Sequence, residues 1–166
     1  MIPYGRHHVD EADIQAVVDV LRKGELTQGK TVDAFERAIA DYVGAKFAVA
    51  VASGTAALHL AAIAADLGPG TSLVTSPITF VASANAAVYV GARPLFADID
   101  PESINLAPES LRQVLALHRD VRAVVPVHFA GLPCDMPAIR AAADSAGAVV
   151  IEDAAHALGA VYPDGR

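Results

Sequence analysis

Three short stretches of this chain carry residues that could do chemistry. In Val149-Val150-Ile151-Glu152-Asp153-Ala154-Ala155-His156 an apolar run ends in two carboxylates, and a histidine follows among alanines. A short apolar run of this kind reads as a buried strand of a parallel sheet. Open α/β sheets bind ligands just beyond the carboxyl ends of their strands. A carboxylate at such an end, ringed by alanines, has little water to solvate it and needs a partner. Asp153 and His156 are therefore the first candidate site residues.

The second stretch, Ser53-Gly54-Thr55-Ala56-Ala57-Leu58, opens a helix after an apolar run. The first turn of a helix offers free N–H groups and a positive dipole end, which together attract anions. Small residues let a phosphate approach the backbone, although an ordinary Ser/Thr N-cap would look the same. The stretch has neither the GxGxxG fingerprint of dinucleotide folds nor the lysine of a P-loop. The third stretch, Ser76 to Asn85, places Phe80 at a strand-to-helix junction among small residues. That ring is either a core aromatic or a platform on which a flat ligand stacks.

The elements that must position these residues follow from periodicity. Asp10 is an N-cap with acidic Glu11 and Asp13 behind it, and Ile14, Val17, Val18 and Leu21 mark a helix ending near Gly24. A polar loop over 25–29 leads to a second amphipathic helix, with Val32, Phe35, Ile39 and Val43 on one side and Gly44 as its stop. From Lys46 the pattern becomes strand-then-helix. Strands are expected over 47–51, 73–75, 94–97, 123–127 and 148–153, with helices over 56–65, 82–90, 108–118 and 137–146. Such alternation implies a three-layer α/β/α domain on a mostly parallel sheet. The expected organisation is an arm and two helices over 1–45, then an α/β domain over 46–166.

Composition narrows the class. Hydrophobic residues make up 54% and charged residues 19%, which argues for extensive burial in a chain of 166 residues. No apolar run approaches the roughly 18 residues of a membrane span, and the first residues lack the apolar core of a signal peptide. The single cysteine, Cys134, rules out an internal disulfide framework and fits a reducing cytosol, so a cytoplasmic location is expected. Nothing basic stands near Cys134 in sequence to activate it. A net charge of −7 argues against nucleic acid as the main partner. Asp153 and His156 could share a metal, yet no further ligand cluster with usable spacing accompanies them. His128 either lines the cleft or is packed. His7-His8 reads as a solvated pair, and Asp98 and Asp100 read as turn formers.

Taken together, Ser53-Gly54-Thr55-Ala56-Ala57-Leu58, Pro77-Ile78-Thr79-Phe80-Val81-Ala82 and Glu152-Asp153-Ala154-Ala155-His156-Ala157-Leu158-Gly159 resemble the DegT/DnrJ/EryC1/StrS family of pyridoxal-phosphate-dependent sugar aminotransferases. Leu26-Thr27-Gln28-Gly29 and Val127-His128-Phe129-Ala130-Gly131 agree in register, so the resemblance covers essentially the whole chain. It implies the large domain of the fold type I pyridoxal-phosphate enzymes. It also implies that Asp153 pairs with the pyridinium nitrogen of the cofactor, that Thr55 and Ala56 hold its phosphate, and that Phe80 stacks on its ring. His156 would lie near the cofactor's phenolic oxygen, and Tyr4, Leu26, Thr27, Gln28 and Ser53 would line a nucleotide-sugar site. Within the family the pattern is most similar to members that aminate C4 of a nucleotide-linked 4-keto-6-deoxy sugar, those of the pseudaminic-acid pathway above all. The resemblance further implies glutamate as amino donor and a homodimer.

One departure stands out. Family members attach the cofactor to a lysine shortly after the Asp153 stretch, whereas this chain has only Lys23, Lys30 and Lys46. The sequence is therefore expected to be the front part of a longer enzyme, without the C-terminal small domain and inactive alone. The turn of a hairpin is expected at Arg166. Other classes stay open: a pyridoxal-phosphate sugar dehydratase, a non-catalytic relative with the same fold, or a metal-dependent hydrolase centred on Asp153 and His156.

Overall fold

The computed structural model describes residues 7–162, so Tyr4 and the turn expected at Arg166 lie outside the described residues. The chain divides into two units between Ala50 and Val51.

The first unit contains helices α1 (Glu11–Lys23) and α2 (Lys30–Val43). Asp10 caps α1 as its sequence suggests. Its carboxylate accepts the Asp13 N–H at 3.0 Å, and the Asp13 carboxylate accepts the Asp10 N–H at 3.0 Å. Acidic residues in the first turn and Arg22 and Lys23 in the last complement the helix dipole. Gly44 ends α2 with φ of 67°, a left-handed conformation that glycine adopts at little cost. His7 and His8 are exposed, as a solvated pair should be.

The strand expected over 47–51 is not formed: among the described residues this run has no ladder partner, and Phe47 and Val49 are 76% and 77% exposed. The alternation of Phe, Ala and Val reports a surface suited to a sheet, but a strand exists only where a partner edge lies within reach. The Ala50 N–H is satisfied instead by the Glu36 carboxylate at 2.7 Å.

The second unit matches the expected architecture. Helix α3 (Gly54–Ala64), strand β1 (Ser72–Thr75), helix α4 (Ala82–Tyr89), strand β2 (Arg93–Phe96), helix α5 (Pro108–Leu117), strand β3 (Val121–Val125), helix α6 (Met136–Ala146) and strand β4 (Val149–Val150) follow in order. The four strands form one sheet in the order β2-β1-β3-β4, every pair parallel. Side chains alternate between its faces. Leu73, Ala123 and Val125 pack with Ala62 of α3 and Ala86 and Ala87 of α4. Val74 and Val124 pack with Leu111 and Leu115 of α5 and Ile139, Ala142 and Ala143 of α6. Two cores on two faces are the three-layer α/β/α domain predicted from the sequence.

Strand β4 is shorter than the 148–153 expected, but pairing resumes as a single parallel bridge between Val127 and Asp153. Asp100 is the turn former that its sequence suggests, its carboxylate accepting the backbone N–H groups of Glu102 and Ser103. Among the described residues no helix is long and apolar enough to cross a membrane.

Candidate active site

The alternation that divides the core also sorts the two carboxylates at the end of β4. Ile151 packs on the α3–α4 side and Val150 on the α5–α6 side. Asp153, two residues after Ile151, therefore belongs to the α3–α4 side, and Glu152 to the other. Their partners agree with this parity. The Ser83 hydroxyl, on α4, donates to Asp153 Oδ2 at 2.8 Å. Arg140, on α6, donates to Glu152 Oε1.

Asp153 is half-buried and fixed by backbone as well as side chain. Its N–H donates to Pro126 O at 2.9 Å, and its carbonyl accepts the His128 N–H at 3.1 Å. Its Oδ1 accepts the Ala155 N–H at 3.3 Å. Both carboxylate oxygens are thus held by neutral donors. Among the described residues no cationic donor reaches it, so the oriented group suits a cationic N–H acid. Beyond it, residues 154–160 are mostly alanine and mostly exposed, with His156 among the exposed residues. The carbonyl of His156 lies over Gly131, where a Cβ would come within 2.9 Å of that oxygen. With φ of 87° as well, Gly131 is a position only glycine fills without strain.

Ser83 also ties Asp153 to the Phe80 loop. It lies 2.9 Å from the Thr79 hydroxyl and 3.3 Å from the Phe80 carbonyl. Phe80 itself is 73% exposed, which removes the core-aromatic reading and leaves a ring free to stack. On α3, the Ser53 hydroxyl accepts the Ala56 N–H at 3.2 Å, so the expected phosphate donor Ala56 is engaged as a capping partner here. The Gly54 and Thr55 N–H groups have no intrahelical acceptor. A Cβ on Gly54 would meet no atom within 4 Å, so this turn faces open space. Helix α3 packs against α4, the helix that carries Ser83.

Asp153 and the Phe80 loop are therefore joined by hydrogen bonds, and Ser53, Thr55 and Ala56 lie on the helix next to α4. Leu26, Thr27 and Gln28 are exposed in the loop between α1 and α2 of the first unit, with Gln28 at φ of 60°.

His128 is packed rather than open to the cleft, at 5% exposure. Its Nδ1 accepts the Cys134 N–H at 3.0 Å, so in the neutral ring the proton sits on Nε2, which faces Glu152 Oε2 at 3.1 Å. The His128 ring and then the Arg140 guanidinium hold the Glu152 carboxyl below the usual carboxylate range, against an opposing push from burial. Ser83, Thr79 and Glu152 lie within the sequence motifs, yet residue type and spacing alone assign them no role. For Glu152 the parity of adjacent strand residues was the available signal. For Ser83 and Thr79 the spacing of four, one turn on α4's approach, was suggestive only once Asp153 was in place.

Cys134 is 2% exposed, and burial pushes its thiol up to about 11. At pH 8 its thiolate fraction should be about a hundredfold below that of an ordinary exposed cysteine. Native protein treated with a thiol reagent should label slowly, and urea-unfolded protein rapidly. Stoichiometric labelling of native protein within the mixing time would contradict this.

Over residues 7–166 the sequence matches the DegT/DnrJ/EryC1/StrS aminotransferase family. The spore coat polysaccharide biosynthesis protein SpsC of Bacillus subtilis (strain 168) is 47% identical over 161 residues, which is 97% of this chain and 41% of SpsC. Among solved structures, the aminotransferase from Psychrobacter cryohalolentis is 37% identical with a TM-score of 0.88, over 96% of this chain and 41% of that one. The putative sugar aminotransferase Spr1654 from Streptococcus pneumoniae, in its PLP form, is 30% identical with a TM-score of 0.90, over 97% and 44%. The parallel α/β fold is thus that of the aminotransferase structures. The chain spans about 41% of the length of the curated relatives it matches.

Proposed function

Because the chain belongs to the DegT/DnrJ/EryC1/StrS aminotransferase family, we propose that it forms the cofactor-binding front part of a pyridoxal-phosphate enzyme of amino-sugar biosynthesis. The enzyme transfers an amino group from glutamate to C4 of a nucleotide-linked 4-keto-6-deoxy sugar, as in pseudaminic-acid synthesis, and works as a cytoplasmic homodimer. The observation that carries this reading is the Ser83–Asp153 contact at 2.8 Å, which joins the Phe80 loop to the carboxylate at the sheet edge.

The residues present fit the cofactor chemically. A carboxylate oriented, among the described residues, by the neutral Ser83 hydroxyl and Ala155 N–H suits a pyridinium N–H. The open N-terminal turn of α3 suits a phosphate, and the exposed Phe80 ring suits a flat heterocycle. When bound, pyridoxal phosphate supplies an electron sink at the reacting carbon. Asp153 keeps a proton on the ring nitrogen. Gly54 and Thr55 donate backbone N–H groups to the phosphate, joined by Ala56 if Ser53 releases it. Phe80 excludes water from one ring face, and His156 orients the phenolic edge. The family resemblance assigns Leu26, Thr27, Gln28, Ser53 and Tyr4 to the nucleotide sugar. The covalent anchor is supplied by none of Lys23, Lys30 and Lys46.

Titrating the intact protein with pyridoxal phosphate should give a saturable absorbance change. Borohydride trapping followed by peptide mapping should leave Lys23, Lys30 and Lys46 unmodified. Trapped cofactor on one of those three lysines, with amino transfer to a 4-keto nucleotide sugar retained, would overturn this assignment of the site.

A further inference from the structure

Ser83 is 0% exposed and stands at the junction of three groups. It lies 2.8 Å from Asp153 Oδ2, 2.9 Å from Thr79 Oγ1 and 3.3 Å from the Phe80 carbonyl. A hydroxyl has one proton to give. An ionised carboxylate accepts only, so the short contact to Asp153 takes that proton, and the longer one to Phe80 is secondary. The Thr79 contact is then fixed in direction: Thr79 donates, and Ser83 accepts.

We infer that Thr79 and Ser83 form a directional hydrogen-bond relay that positions the Asp153 carboxylate for its ligand. The inference rests on the cofactor reading above and deepens it. The relay occupies Oδ2, and the Ala155 N–H restrains Oδ1 weakly at 3.3 Å. Rotation of the carboxylate is therefore restricted, and Oδ1 is the oxygen left for a ring N–H. Thr79 and Ser83 are positioning residues, since they act through Asp153. They also couple ring recognition to Phe80, because Thr79 and the Phe80 carbonyl sit in the same turn before α4.

The test uses intact apo-protein, titrated with pyridoxal phosphate and, as competitor, inorganic phosphate alone. Ser83→Ala should weaken pyridoxal-phosphate binding about tenfold. Thr79→Val, similar in volume and half-buried, should weaken it a few-fold. The double variant should be no worse than Ser83→Ala, since a relay cut at one link has nothing left to lose at the other. The inhibition constant of inorganic phosphate should stay unchanged in all three, because phosphate binds at α3 and does not touch Asp153. Equal pyridoxal-phosphate affinity in Ser83→Ala and wild type overturns the relay alone. So do strictly additive losses, or a parallel loss of phosphate binding that reports general damage. Wild-type protein that binds no pyridoxal phosphate overturns the cofactor reading and the relay with it.

Discussion

Asp153→Asn is expected to lower the turnover of the intact enzyme roughly 10²–10³-fold, the scale for removing one preorganised electrostatic stabiliser. The amide matches the carboxylate in shape but not in charge. Ser83 makes the substitution worse than charge loss alone. Its hydroxyl proton points at Oδ2, so the amide settles with its oxygen toward Ser83 and its NH2 toward the ligand. In the proposed site a donor would then face the ring N–H, the wrong polarity for keeping the nitrogen protonated. The change removes no volume, so thermal unfolding should move little. His156→Ala should cost less, because in the proposed site this exposed residue orients the cofactor's edge and does not hold the ring proton. Steady-state kinetics on the two variants, with melting curves as control, measure this. Turnover of Asp153→Asn within a few-fold of wild type would remove Asp153 from the chemistry.

The second large effect is on stability. His128→Ala should destabilise the protein by roughly 2–4 kcal/mol, combining a cavity with an orphaned buried N–H. The N–H is that of Cys134, which His128 Nδ1 accepts at 3.0 Å. The same change removes the Nε2 partner of Glu152. Because the Glu152 carboxyl titrates lower in the folded protein than unfolded, its ionised form stabilises the fold at neutral pH. That contribution is lost as pH falls through the lowered folded value. Wild type should therefore lose stability on acidification more steeply than His128→Ala across that range, and the gap between them should narrow. Denaturant unfolding at a series of pH values tests both points. A constant gap from neutral pH to acid would show that the pair does not couple.

These residues illustrate what the sequence could and could not reveal. The strand-helix alternation after residue 70 was legible because each apolar run has a partner within the chain, and the two-residue period sets which core it joins. The run over 47–51 has the same composition and forms no strand, since periodicity describes one surface and pairing needs two. Asp153 was legible as a carboxylate where a buried run ends. Its orientation was not, because Ser83 is 70 residues away in sequence and only the fold brings it near. His128 was ambiguous for the same reason. A histidine after a strand can face a cleft or a core, and the Cys134 N–H and the Glu152 carboxylate decide which.

The alanine-rich turn after Asp153 has a thermodynamic consequence. From Asp153 to Ala160, only Asp153, His156 and Leu158 carry side chains with rotatable bonds; the other five residues are alanine or glycine. Fixing a mobile side chain against a ligand costs about 0.5–1.5 kcal/mol in lost rotamer freedom. Eight ordinary polar residues here would charge most of that penalty to every binding event. This turn has few side-chain rotamers to lose, and the carboxylate at its head is already held. The side-chain share of the entropy lost on association then falls chiefly on the incoming molecule, which favours holding a small ligand with few contacts in one orientation.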